Sequence, residues 1–346
     1  MPGWHGRGAD TITGTVQGMI SGAGRRVLVT GGAGFVGSHV AEAHLALGDR
    51  VCVLDDLSSG HRGNVPAGAD FVEMDVADPR TRAFVSGGRF DVVNHHAAQV
   101  DVRSSVADPA ADARTNIVGL VNVLEGARAA GTGRVVFVSS GGVVYGEPEV
   151  FPTPETAPKH PVSPYGVSKL TGEHYLDYYR VTHGLDYVAL RYSNVYGPRQ
   201  DPGGEAGVVA IFSNCLLRRE PLVIYGDGEQ LRDYVYVEDV ARANLLAAEM
   251  DLVDDADMDS RAFNIGTGEA TSVNTLAELL EEVSGIRVRR VLREARAGDV
   301  RCSTLATSRI RDRGWVPGFS LREGLARTFR HIALQVAAPR VAEVGS

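Results

Sequence analysis

Short runs of aliphatic and β-branched residues recur through the first half of the chain. Each is followed by a stretch in which apolar residues return every three or four positions. Arg26–Thr30 (RVLVT), Val51–Asp55 (VCVLD), Phe71–Asp75, Asp91–His95 and Val135–Ser139 (VVFVS) read as strands. The intervening spacing predicts helices over Ser38–Leu47, closed by Gly48, and over Asn116–Ala130, closed by Gly131. Strands apolar on both faces that alternate with helices predict an α/β fold built on a doubly wound parallel (Rossmann) sheet. From about residue 195 the rhythm changes, with Pro198, Pro202, Gly203 and Gly204 interrupting it. The expected organisation is a flexible N-terminal tail over 1–24 and a doubly wound domain over 25–195, to which 222–250 returns. A smaller C-terminal lobe follows over 196–346.

Composition narrows the function. Lys and Arg number 35 against 43 Asp and Glu, a net charge of −8, which argues against a surface that holds nucleic acid. Cys52, Cys215 and Cys302 are too far apart for a CxxC motif or a disulfide framework, so free thiols and a cytoplasmic location are expected. No apolar run approaches the ~20 residues of a membrane span. His95 and His96 are adjacent on a predicted strand and point to opposite faces, and no acidic or cysteine partner lies nearby, so no metal is expected. The acidic stretch Met250–Ser260 reads as a solvated loop.

The first strand runs directly into Gly31-Gly32-Ala33-Gly34-Phe35-Val36-Gly37 and then a helix. Glycines at 31, 34 and 37 permit a tight turn and a close backbone approach to a pyrophosphate, which the helix N-terminus then faces. The next strand ends at Asp55, whose carboxylate is placed to accept hydrogen bonds from a ribose diol. That charge repels a 2′-phosphate, so the expected cofactor is NAD rather than NADP, although Arg62 lies somewhat downstream.

A second constellation is Tyr165-Gly166-Val167-Ser168-Lys169, behind a Ser163-Pro164 helix start. A spacing of four puts Tyr165 and Lys169 on one helical face, one turn apart. A tyrosine that ordinarily titrates near 10 is a poor base at neutral pH. The Lys169 ammonium and an oxidised nicotinamide both favour its phenolate, which makes it a candidate general base. Ser140 ends a strand at the carboxyl edge of the sheet, where open α/β folds bind ligands, and is the better candidate than Ser139 to bridge the base and a substrate oxygen.

With these motifs stand His96-Ala97-Ala98, Asn116 in TNIVG, Arg191–Pro198 (RYSNVYGP), Arg232–Val237 (RDYVYV) and Gly141-Gly142-Val143-Val144-Tyr145-Gly146. Together they resemble the extended short-chain dehydrogenase/reductase family, and within it the nucleotide-sugar epimerases and dehydratases, from about Arg26 to His331. The dehydratases carry an acidic residue just before the Tyr-Gly, where this chain has Gly142-Val143-Val144. The resemblance therefore implies reversible inversion at C4 of a UDP-hexose, glucose or galactose and their N-acetyl forms, through a 4-keto sugar with NAD bound. A related activity, such as sugar dehydration or epimerisation of UDP-glucuronate, is the second reading. By resemblance, Asp75, Val76, Ala97, Gln99 and Asn116 contact the cofactor. Asn194 contacts the substrate, Arg232 and Arg296 clamp its diphosphate, Asp299 holds its ribose and Tyr225 stacks on its uracil. The residue that sets the room beside the sugar falls on Ser303, or one place away on Cys302 or Thr304. The helices over 116–130 and 165–179 are expected to pair two copies of the chain into a homodimer.

Overall fold

The computed structural model describes residues 24–201, 207–253, 255, 257–295 and 300–337. The expected tail thus lies, up to residue 23, outside the described residues, as do Arg296 and Asp299. In the first half, β1 (Arg26–Thr30), α1 (Phe35–Ala46), β2 (Arg50–Asp55), β3 (Asp70–Glu73), α2 (Arg80–Gly88) and β4 (Val92–His95) alternate as the pattern predicts. The short helices α3 (Val102–Ala107) and α4 (Pro109–Ala113) precede α5 (Gly119–Ala130), β5 (Arg134–Ser140), α6 (Gly141–Val144), α7 (Pro164–His183) and β6 (Tyr187–Tyr192).

In the second half come β7 (Asn194–Tyr196), α8 (Val208–Arg218), β8 (Leu222–Tyr225), β9 (Leu231–Arg232), β10 (Tyr234–Tyr236), α9 (Val237–Glu249) and β11 (Ala262–Ile265). After β12 (Thr271–Ser272) and α10 (Val273–Ser284) come β13 (Arg290–Arg293), β14 (Cys302–Ser303), α11 (Ser308–Arg311) and α12 (Leu321–Ala337).

Seven parallel strands form the large sheet in the order β11-β6-β5-β4-β1-β2-β3. Successive side chains of a strand face opposite ways, so each strand feeds two cores. Val27 and Val29 of β1 join Val240, Ala243 and Ala247 of α9 on one face. Leu28 joins Leu120, Val123 and Leu124 of α5 and Leu176 of α7 on the other. This two-faced burial is why the strands read as continuous apolar runs. The order reverses between β1 and β4, and at such a switch point the strand ends part and leave a crevice.

Two features differ from the sequence expectation. Leu222–Tyr225 does not return to the large sheet: β8 pairs with β13 in the smaller lobe, and α9 and β11 are the pieces that return. The helix expected from Asn116 is a π turn over Arg114–Val118 before α5 begins. A π turn accommodates an extra residue in the helix, a feature common at functional sites.

Candidate active site

The crevice at the switch point is a cleft of about 390 Å³ walled by the glycine loop, the ends of β2 and β4, the end of β5 and the loops after β6 and β7. Gly31 has φ +66°, and a Cβ there would lie 2.6 Å from Ala97 N. A Cβ at Gly37 would strike the Gly31 carbonyl oxygen. Only glycine keeps these chain segments in contact, which brings the N-terminus of α1 to the cleft with Gly34, Phe35 and Val36 on its wall. Asp55, buried at the end of β2, accepts from Ala33 N at 3.0 Å and Leu57 N at 2.8 Å. Burial raises its pKa, the two backbone N–H groups oppose that rise, and the Asp56 charge adds to it.

Tyr165 and Ser140 both line this cleft, together with Val76 and Ala97. Ser163 caps α7 by accepting from Gly166 N at 3.2 Å, and Pro164 supplies the first helical residue. One turn on, Lys169 is buried, with Nζ 5.7 Å from the centre of the Tyr165 ring and donating to Val138 O at 2.9 Å. Ser139 also lines the cleft, but its Oγ is engaged elsewhere, donating to Glu173 Oε1 at 2.5 Å. Glu173 in turn forms a fully buried pair with Arg191 at 2.5 Å. Burial would lower the Arg191 pKa, but the hydrogen bonds and charge of Glu173 raise it. Arg191 also reaches Tyr145 Oη, Glu155 O and Asp259. Asp259, from the stretch expected as a solvated loop, is therefore drawn into an ion-pair network that includes Lys159.

Other predicted residues are not among those that line the cleft. The Asp75 carboxylate accepts from Ala77 N, and Gln99 and Asn116 hydrogen-bond to one another next in sequence to the wall residues Ala98 and Thr115. Asn194, Tyr225, Arg232 and Ser303 belong to the smaller lobe's side. Ser303 stands opposite Arg232 in the β14–β9 pair, Asn194 N donates to Asp233 O, and Gln230 Nε2 donates to Tyr225 O. No group of three or more His, Cys, Asp or Glu placed to hold a metal occurs among the described residues, and none of their helices is long and apolar enough to cross a membrane.

Sequence reasoning missed the far wall of the cleft, formed by Tyr192, Ser193, Val195, Arg199, Gln200 and Asp201. The RYSNVYGP run was the available signal. Arg199 takes φ +68°, and its guanidinium donates to Ser38 Oγ and Glu42 on α1, which seats this loop against the nucleotide helix.

A doubly wound sheet, a glycine cradle with a carboxylate at the next strand end, and a Tyr–Lys pair on the cleft wall define a dinucleotide-dependent enzyme. The chain belongs to the NAD dependent epimerase/dehydratase family, whose profile matches residues 27–266. It is 43% identical over 309 residues to UDP-glucose 4-epimerase of Mycolicibacterium smegmatis, covering 88% of this chain and 97% of that protein. The structure of UDP-glucose 4-epimerase from Thermotoga maritima with UDP-glucose superposes with a TM-score of 0.86 at 47% identity, covering 90% of this chain and 99% of that one. A Thermus thermophilus UDP-glucose 4-epimerase in complex with NAD matches at a TM-score of 0.83 and 42% identity, covering 90% of this chain and all (100%) of that one.

The cofactor is NAD. The residues present fit it: the glycine cradle leaves no room for Cβ atoms, and Asp55 offers a carboxylate to a ribose. His96 Nε2 and Ser193 Oγ are buried on residues of the cleft wall with no protein partner, as polar atoms awaiting a ligand would be.

Proposed function

We propose that the protein inverts C4 of a UDP-hexose reversibly, interconverting UDP-glucose and UDP-galactose, with Tyr165 as base, Lys169 as its electrostatic support and Ser140 as the bridge to the sugar oxygen. The observation that carries this reading is that Tyr165 and Ser140 both line the NAD cleft, with the buried Lys169 ammonium one helical turn on from Tyr165. Bound NAD supplies a reversible acceptor for the hydrogen at C4. Tyr165, as phenolate, takes the C4 hydroxyl proton and later returns it. The Lys169 charge favours the phenolate, and Ser140 orients the sugar oxygen. Among the described residues, the acids on the cleft wall are Asp55 and Asp56, at and just after the end of β2, and Asp201, on the loop after β7. The segment ahead of Tyr145 offers Gly142-Val143-Val144 instead of the acid that elimination of water requires.

The same reading assigns NAD contacts to Gly31, Gly34, Phe35, Val36, Gly37, Asp55, Asp75, Val76, Ala97, Gln99 and Asn116. It assigns the UDP-sugar to Asn194, Tyr225, Arg232, Arg296 and Asp299, with residues 25–195 as mainly the cofactor's domain and 196–346 as mainly the substrate's. The names of the relatives support the substrate class. Incubation with UDP-galactose followed by separation of C4 epimers tests it: UDP-glucose forms without accumulation of NADH. Loss of water from the sugar, or steady NADH production, would replace the reading with a dehydratase or a dehydrogenase.

Ser303 is assigned the room beside C2 of the sugar. It is small, half-buried and opposite Arg232. Ser303→Tyr is expected to lower kcat/KM for UDP-N-acetylglucosamine relative to UDP-glucose by roughly 10- to 100-fold, because an overlapping group must displace packed side chains. An unchanged ratio removes Ser303 from the pocket.

The protein is further assigned to the cytoplasm and to a homodimer. Helix α7 buries its Tyr165, Lys169 and Leu176 face but leaves Val167, Tyr175, Tyr178 and Val181 exposed, an apolar stripe at helical spacing. Light scattering at micromolar concentration is expected to give twice the chain mass, and a monomer there contradicts the assignment.

A further inference from the structure

Between Tyr165 and Lys169, helix α7 carries a serine that the proposed chemistry does not use. Ser168 is buried, and its Oγ donates to Asp112 Oδ2 at 2.6 Å. Asp112, on α4, is only 1% exposed. Its other oxygen accepts from Asn116 Nδ2 at 2.9 Å and from Gln99 Nε2 at 3.0 Å. The Asn116 amide also brackets the Gln99 backbone, accepting from its N at 2.9 Å and donating to its O at 2.8 Å. One carboxylate thus joins three pieces of the site: the segment that follows Ala97 and Ala98 of the cleft wall, the π turn that presents Thr115, and the helix that carries Tyr165.

We propose that Asp112 is a positioning residue that sets Tyr165 and Lys169 in register with the cofactor's seat, Ser168 being its arm to the helix and Gln99 and Asn116 its arms to the seat. The inference rests on the reading of Tyr165 as the base. An ionised carboxylate only accepts, and here it receives three donors. An amide in its place presents an NH₂ group to some of those donors, so at least one arm is lost. A displacement of about 1 Å between reacting groups costs on the order of 10²-fold in rate, so a link of this kind acts on turnover without touching substrate.

The two arms make separable predictions. Ser168→Ala cuts the arm to the helix alone: kcat per NAD-loaded site is expected to fall about 10-fold or more, with KM for the UDP-sugar and NAD affinity unchanged. The ascending limb of its kcat–pH profile is expected to move to higher pH, because Tyr165, out of register with the cofactor's seat, loses the part of its phenolate stabilisation that an oxidised nicotinamide would supply. Titratable groups near Lys169 include His95 at the end of β4, His96 just after it and Glu173 on α7 itself. Burial lowers the pKa of both histidines to about 3, and Glu173 is paired with Arg191, so none of them supplies that support. Ser168→Thr keeps the hydroxyl and is expected to restore both rate and profile. Asp112→Asn is expected to impair turnover and also to weaken NAD binding to nucleotide-stripped protein, read by fluorescence titration. If Ser168→Ala lowers thermal stability but leaves kcat per NAD-loaded site and the pH limb at wild-type values, the inference is overturned. Tyr165→Phe measured alongside separates the two failures: full activity there removes the underlying reading, whereas an impaired Tyr165→Phe beside an unaffected Ser168→Ala removes the role of Asp112 alone.

Discussion

Tyr165→Phe is expected to lower kcat for C4 inversion by about 10²- to 10⁴-fold, the span of a general base, while NAD content stays at the wild-type level. Tyr165 is 8% exposed and its ring packs at the start of α7, so the substitution removes one hydroxyl and keeps the ring. The ammonium of Lys169 then stands beside a ring that has no proton to exchange. Steady-state rates per NAD-loaded site decide the point, and a rate within a few-fold of wild type would exclude Tyr165 as the base.

The second large effect is on stability. Arg191 and Glu173 are 0% and 1% exposed at their side chains and pair at 2.5 Å. Glu173→Ala leaves a buried guanidinium without its main carboxylate, and breaking such a pair from one side costs about 3–5 kcal/mol. Asp259, also on Arg191 at 2.8 Å, retains part of the charge balance and places the expected loss at the lower end. Glu173→Gln, which keeps the volume and a hydrogen-bonding oxygen, is expected to lose less. The midpoints of urea unfolding measure both variants. A loss below about 1 kcal/mol for Glu173→Ala would show that Arg191 finds full compensation elsewhere. The same substitution frees Ser139 Oγ, which now ties the end of β5 to α7, and so couples stability to the place where Ser140 stands.

Much of this was legible in the sequence, and the reasons are physical. Strands buried on both faces must be apolar throughout, so RVLVT and VVFVS declared themselves. The glycine loop was legible because Gly31 and Gly37 stand where no Cβ fits. Tyr165 and Lys169 were legible because a helix converts a spacing of four into adjacency. Contacts between segments distant in sequence were not. Nothing in RTNIV announces a π turn, which the hydrogen bonds between Asn116, Gln99 and Asp112 accompany. The exchange of partners that sends Leu222–Tyr225 to β13 and returns Val237–Glu249 to the sheet depends on packing between segments far apart in sequence. Asp259 read as solvent-facing because its partners, Lys159 and Arg191, are 100 and 68 residues away. Arg199 took its place on the cleft through a backbone conformation that no side-chain pattern reports.

In the proposed reaction C4 is oxidised and reduced again within one bound sugar. UDP-glucose carrying deuterium at C4 tests it most directly, incubated with the purified protein beside unlabelled UDP-hexose and analysed as UDP-galactose. Deuterium is expected to remain at C4 of the molecules that carried it, with no wash-out to solvent and no transfer to the unlabelled sugar. Loss of the label to water would mean that C4 exchanges as a proton, and would contradict the assignment of Tyr165 and NAD to a single reversible oxidation.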